Sequence, residues 1–147
     1  MTAQVKVKRL DSRAKLPSYG SEYAAGADLY ALCDGEVFIA SGATALIHTG
    51  VSVELPQGTV GLIYARSGLA SKKGLAPANK VGVIDCDYRG EIMVALHNHS
   101  GEDRTVSDGE RIAQLVITPY ITACFTEADE LSDTVRGEGG FGSTGSR

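Results

Sequence analysis

Residues 79 to 92 read Asn-Lys-Val-Gly-Val-Ile-Asp-Cys-Asp-Tyr-Arg-Gly-Glu-Ile, with two aspartates, a tyrosine and an arginine between apolar runs. Val81 and Val83 alternate before Asp85, and Ile92, Val94 and Leu96 alternate after it, the period of a half-buried strand. The spacing predicts a β-hairpin with Asp85, Asp87, Tyr88 and Arg89 near its turn. A carboxylate fixed there can orient and deprotonate a water. A solvated tip built from the ordinary turn formers Asp and Gly would read the same way. A second acid, Asp28, sits in Ala25-Gly26-Ala27-Asp28-Leu29-Tyr30-Ala31. Small residues around one aspartate predict close backbone packing with that carboxylate held in place; the plainer reading is a strand with one outward Asp.

Arg66 and Ser67 precede a short apolar and basic run closed by Gly74. That pattern predicts a helix over 67–73 with Ser67 as N-cap and Gly74 just past its end. A guanidinium fork, a hydroxyl and free backbone N–H groups together attract phosphate; an ordinary capped turn with a surface arginine is the alternative. Gln114 interrupts the apolar run Ile112 to Ile117, and a buried amide needs a partner, either a backbone group or a ligand. From Gly137 to Arg147 there are five glycines in eleven residues, with Phe141 among them and Arg136 just upstream. Such a stretch cannot form a core and is expected to be mobile when free. Its N–H groups can wrap phosphate oxygens, and Phe141 offers a face for a base. Gly140 to Gly145 spells G-x-G-x-x-G, but no strand–helix–strand unit surrounds it, so a dinucleotide fold is rejected.

The remaining chemistry-bearing residues point to less. His97 and His99 share a strand face without a third ligand near in sequence, which predicts exposed or hydrogen-bonded rings and no metal. Cys33, Cys86 and Cys124 form no C-x-x-C pair, so neither a disulfide framework nor a zinc site is expected. Unpaired thiols suit a reducing cytoplasm. A formal net charge of −4 argues against a nucleic-acid groove. No apolar run is long enough to cross a membrane, and the first ten residues lack a signal-peptide core.

The elements that must position these residues are short strands. Val5–Val7, Val37–Ile39, Ala45–Ile47, Val51–Leu55, Val60–Tyr64, Thr105–Val106 and Arg111–Ile117 are apolar or alternating, with glycine and proline turns between them. Further pieces are expected at Ile121–Phe125, as a strand, and Glu127–Ser132, as a helical turn. Regularly spaced short strands without helical periodicity predict one all-β domain, a sandwich or barrel, with one short helix and a flexible glycine-rich C-terminal arm. The division is a core over 1–132 and an arm over 133–147.

Five stretches occur in order: Ala25 to Ala31; Ala65-Arg66-Ser67-Gly68-Leu69-Ala70; Gly82 to Glu91; Gly109-Glu110-Arg111-Ile112-Ala113-Gln114-Leu115; and Arg136 to Gly145. Together they resemble the trimeric dUTPase family, over nearly the whole chain. The resemblance implies a jelly-roll-like subunit, a homotrimer with active sites at subunit contacts, Mg2+, and hydrolysis of dUTP to dUMP and diphosphate. That reaction keeps uracil out of DNA and supplies dUMP for thymidylate synthesis. By the same resemblance Asp85 holds the attacking water and contacts the deoxyribose 3′-OH. Tyr88 packs on the sugar and excludes a 2′-OH, and Asn79 contacts uracil with backbone groups of Gly82 and Val83. Arg66, Ser67, Gly68 and Gln114 contact phosphates, and Asp28 reaches the magnesium through water. In the arm, Phe141 stacks on uracil while Arg136, Gly142, Ser143 and Thr144 hold the terminal phosphate. Ala65 replaces a proline common in the family, and Cys86 occupies a variable place.

Two other readings stand beside this one. A dCTP deaminase shares the fold; ammonia release from dCTP against diphosphate release from dUTP separates them. A non-catalytic jelly-roll module would have no need to keep Asp28, Arg66, Asp85, Gln114 and the arm together.

Overall fold

A computed structural model describes residues 3–140. Among them, short strands follow one another: β1 (Lys6–Arg9), β2 (Ser18–Tyr19), β3 (Ala27–Tyr30), β4 (Glu36–Ile39), β5 (Thr44–His48), β6 (Val51–Glu54) and β7 (Thr59–Tyr64). A helical turn, Leu69–Lys73, leads to β8 (Leu75–Pro77), β9 (Gly82–Ile84), β10 (Met93–Asn98), β11 (Arg104–Ser107) and β12 (Arg111–Pro119). The fold is all-β and jelly-roll-like. A five-stranded sheet runs β2-β3-β12-β7-β9, and smaller sheets pair β5-β10-β8, β1-β6 and β4-β11.

Leu29, Ile39, Ile47, Leu75, Ile92, Leu96 and Ile112 are at most 1% exposed and come from β3, β4, β5, β8, β10 and its approach, and β12. Each such side chain contributes about 1.5–3 kcal/mol on leaving water. One continuous core therefore fixes the strands that carry Asp28 and Gln114.

Alternation located the strands well, but it does not name their partners. The arms of the expected hairpin lie in different sheets: β9 pairs with β7, Ile63 opposite Gly82, whereas β10 pairs with β5 and β8. Asp85 to Ile92 is thus a crossover between sheets. The helix also differs from expectation. It is a wide π-type turn flanked by Gly68, with no side-chain cap; Ser67 instead gives its carbonyl to the Ser71 hydroxyl at 2.6 Å. Gly74 closes the turn in the left-handed region (φ 69°), as its position predicts. Neither a strand at 121–125 nor a helical turn at 127–132 forms. Ile121 and Phe125 are 94% and 95% exposed, and a strand without a neighbour has no partner for its backbone groups.

Candidate functional site

A cleft of about 670 Å³ opens between the end of β3, the helical turn and the start of β12. Asp28, Arg66, Ser67, Gly68 and Gln114, all expected to bind phosphate or metal, line it together. Asp28 is 8% exposed, and its Oδ1 accepts a hydrogen bond from Arg66 Nε at 2.8 Å. Its Oδ2 accepts a longer one, 3.3 Å, from Arg111. Gln114 is half-buried; its Nε2 donates to the Ala65 carbonyl at 2.9 Å, which ties β12 to the segment carrying Arg66. The backbone partner is therefore present, and the amide still faces the cleft. A Cβ on Gly26 would stand 2.5 Å from Gln114 Oε1, so the small residues before Asp28 are needed for close approach.

Arg111, Lys72 and Lys73 are cleft residues that sequence reasoning missed. Three positions separate Arg111 from Gln114, which on a regular strand puts them on opposite faces. The register with β3 shifts between Arg111 and Ala113, so Ile112 is an extra residue and both side chains reach the Asp28 side. The bulge leaves Ile112 and Ala113 consecutively buried. Four cations, Arg66, Lys72, Lys73 and Arg111, face two carboxylates, Asp28 and Glu110. An acidic protein thus presents a locally basic cleft suited to a polyanion. Lys73 is held by Glu110 at 2.7 Å.

Among the described residues no three His, Cys, Asp or Glu side chains gather as a metal cage. Magnesium usually keeps several waters and takes one or two carboxylates together with substrate phosphates. One buried aspartate in a cationic cleft fits an ion carried on phosphate oxygens and met through water. It does not fit an all-protein site.

A second, smaller cleft of about 280 Å³ is lined by Val83, Asp85, Tyr88 and Glu91, with Leu46, Ile84 and Met93. Asp85 is exposed directly after β9. The Tyr88 amide donates to the Asp85 carbonyl at 3.1 Å, and the Tyr88 hydroxyl donates to the Glu91 carbonyl at 2.9 Å. Asn79 is exposed at the approach to β9, its side-chain nitrogen 3.5 Å from where a Gly82 Cβ would stand. β9 is an edge strand, so its outward backbone donors and acceptors are free for a ligand.

Within one chain the residues of the two clefts do not meet in a single pocket. Arg136 lines neither; its Nε donates to the Gly139 carbonyl at 2.8 Å. Phe141, Gly142, Ser143 and Thr144 lie outside the described residues. His97 bonds Thr44 Oγ1 at 2.8 Å and packs edge-on against the exposed His99, centroids 4.4 Å apart. Desolvation, with Lys80 and His97 close by, lowers the His99 pKa. Cys33, Cys86 and Cys124 are free thiols.

The sequence matches the dUTPase family model over residues 12–145. The deoxyuridine 5′-triphosphate nucleotidohydrolase of Desulfitobacterium hafniense is 53% identical, with 96% of this chain and 97% of that protein covered. That of Syntrophotalea carbinolica is 49% identical, with 98% of each covered. A structure of a point mutant of the Staphylococcus bacteriophage 80alpha dUTPase with dUpNHpp superposes at TM-score 0.88 and 30% identity, covering 98% of this chain and 99% of that one. A point mutant of the dUTPase of phage phi11 of S. aureus, in which coordination of a structural Mg(II) ion is described, gives 0.77 at 27% identity over 86% of this chain and 97% of that one. Matched along nearly its full length, and about half identical to such relatives, the chain belongs to the dUTPase family, and it is an enzyme.

Proposed function

We propose that the chain hydrolyses dUTP to dUMP and diphosphate through a water activated by Asp85. The observation that carries this reading is the gathering of Asp28, Arg66, Ser67, Gly68 and Gln114 in one basic cleft. Arg66 binds phosphate oxygens through its terminal nitrogens while Asp28 fixes its Nε. Ser67 donates its hydroxyl, which caps no helix, to a phosphate oxygen. Asp85 takes a proton as the water oxygen bonds to the α-phosphorus and the bond from that phosphorus to the bridging oxygen breaks. General-base assistance of this kind contributes about 10²–10⁴-fold. Asp28 would meet, through water, a Mg2+ ion bound to the triphosphate, and that ion would supply positive charge toward the departing diphosphate. The edge of β9, with Asn79, recognises uracil, and Tyr88 rejects a ribose.

The active form is a homotrimer in which the basic cleft of one copy faces the Asp85 loop of another, and residues 133–147 close over the pair. Ile121, Phe125, Leu131 and Val135 are all at least 90% exposed on the isolated chain, four large apolar side chains along one segment that a partner surface would cover. The cytoplasm is the setting, where the reaction removes dUTP before it enters DNA and supplies dUMP.

Diphosphate release from dUTP, dTTP, dCTP and UTP, with and without Mg2+, tests the reading. Release from dUTP alone, dependent on Mg2+, is expected. A folded sample inert toward all four overturns it.

A further inference from the structure

We infer that Glu91 is a positioning residue for this reaction, its carboxylate bolting the Asp85–Tyr88 loop to the turn between β5 and β6. The inference rests on the roles proposed above for Asp85 and Tyr88. Glu91 Oε1 accepts the Gly50 N–H at 2.7 Å, and Oε2 pairs with His48 Nδ1 at 2.8 Å. The Glu91 side chain is 21% exposed, against 57% for His48, so the contact lies at the inner end of the pair. No side chain fits at Gly50: it has φ 69°, and a Cβ there would collide with Leu32 and Ala14. The turn is thus packed at this point, and its N–H is met by Glu91.

The same residue holds the reacting loop from the inside. Its carbonyl accepts the Tyr88 hydroxyl, and the next amide, Ile92, donates to Val51 at 2.9 Å. Thr49 Oγ1 closes the joint by donating to the Ile92 carbonyl. Tyr88 can fold back this way because residue 90 is glycine; a Cβ there would strike its ring and hydroxyl. Glu91, Tyr88 and Asp85 line one cleft. On its other side Glu91 borders a cavity shared with Asp11, Arg13 and Asp34, none of which it bonds among the described residues. Burial raises the Glu91 pKa, but the bonds from His48 and Gly50 outweigh it and the net shift is downward. At neutral pH both oxygens therefore accept.

Steady-state hydrolysis of dUTP and UTP by wild type, Glu91→Ala, Glu91→Asp and Glu91→Gln, with melting curves, tests the assignment. Glu91→Ala is expected to lower kcat by about tenfold or more, because small misplacements of a reacting group are costly. Its preference for dUTP over UTP should fall as well, since Tyr88 loses a fixed platform. Glu91→Asp, which shortens the reach by one methylene, should behave similarly and serves if the alanine variant does not fold. Glu91→Gln keeps an acceptor for Gly50 and should stay within about threefold of wild type. A Glu91→Ala enzyme with wild-type kcat and unchanged dUTP preference overturns the inference, as does loss of melting temperature alone. So does a Glu91→Gln enzyme as impaired as Glu91→Ala. A wild-type protein that releases no diphosphate from dUTP would instead overturn the reading of the reaction.

Discussion

Arg66 donates from Nε to Asp28 Oδ1 at 2.8 Å, so a residue expected at phosphate and one expected at magnesium form a single unit. The side chains are 27% and 12% exposed. Removing the charge of Asp28 would leave Arg66 and Arg111 without their shared counter-charge. Asp28→Asn is expected to cost roughly 1–3 kcal/mol, less than a fully buried pair because solvent screens part of it. It should also raise the Mg2+ concentration needed for half-maximal turnover. Melting curves and Mg2+ titrations of activity check both effects. Arg111→Ala, whose contact is longer and whose side chain is half exposed, should lower the melting temperature less.

Gly26 is a packing requirement for Gln114. A Cβ at residue 26 would come within 3.2 Å of Gln114 Cδ and closer still to its Oε1. Gly26→Ala must push the amide away from the Ala65 carbonyl. Overpacking of this kind costs about 1–3 kcal/mol. The expected result is weaker binding of a non-hydrolysable dUTP analogue, by about tenfold for the loss of 1.4 kcal/mol at the phosphate end. Calorimetric titration reads it directly.

What the sequence made legible was whatever a local pattern determines. β4 to β7 stand where alternation and glycine turns put them, and Asp28 is held among small residues as its neighbours imply. Arg111 was hidden because an extra residue at Ile112 changes which face it takes, and nothing in Arg111-Ile112-Ala113 announces a bulge. The crossover after Ile84 was hidden because strand pairing is set at a distance, by β7 on one side and β5 on the other. Ile121 and Phe125 have the composition of a strand, but among the described residues they have no neighbour to pair with. Glu91 carried no role of its own in the sequence, because its approach to Gly50 is made across the fold.

Gly90 separates the ring of Tyr88 from its backbone. Its φ is not in the left-handed region, so Gly90→Ala acts through the clash with Tyr88 alone. The ring must swing off Glu91. The dUTP-to-UTP ratio of kcat/KM is expected to fall by about tenfold, corresponding to 1.4 kcal/mol of lost discrimination. Tyr88→Phe, which keeps the ring and loses only the hydroxyl bond, should lose less. Competition between the two nucleotides measures the difference.

Among the described residues, 134–139 bond one another and not the core: Gly137 donates to Thr134 and Gly139 to Arg136, at 3.1 and 3.0 Å. Deleting 136–147 should therefore leave the melting temperature nearly unchanged. Turnover of dUTP should drop by about 100-fold or more if those residues close the site and exclude water. Loss of folding on deletion would show that the segment is more than a cover.

Glu91 also links stability to pH. Its folded pKa lies below the ordinary 4.5 through the bonds from His48 and Gly50, against the opposing effect of burial. A carboxylate with a depressed folded pKa binds fewer protons folded than unfolded, so it stabilises the protein above the unfolded value. That contribution disappears as pH falls through the folded value. Glu91→Gln has no such proton to take up. The melting-temperature gap between wild type and Glu91→Gln should be widest near pH 6 and shrink as the solution is acidified through about pH 4.5 and below. A gap that stays constant across this window would mean that the bonds to His48 and Gly50 do not depend on the charge of Glu91.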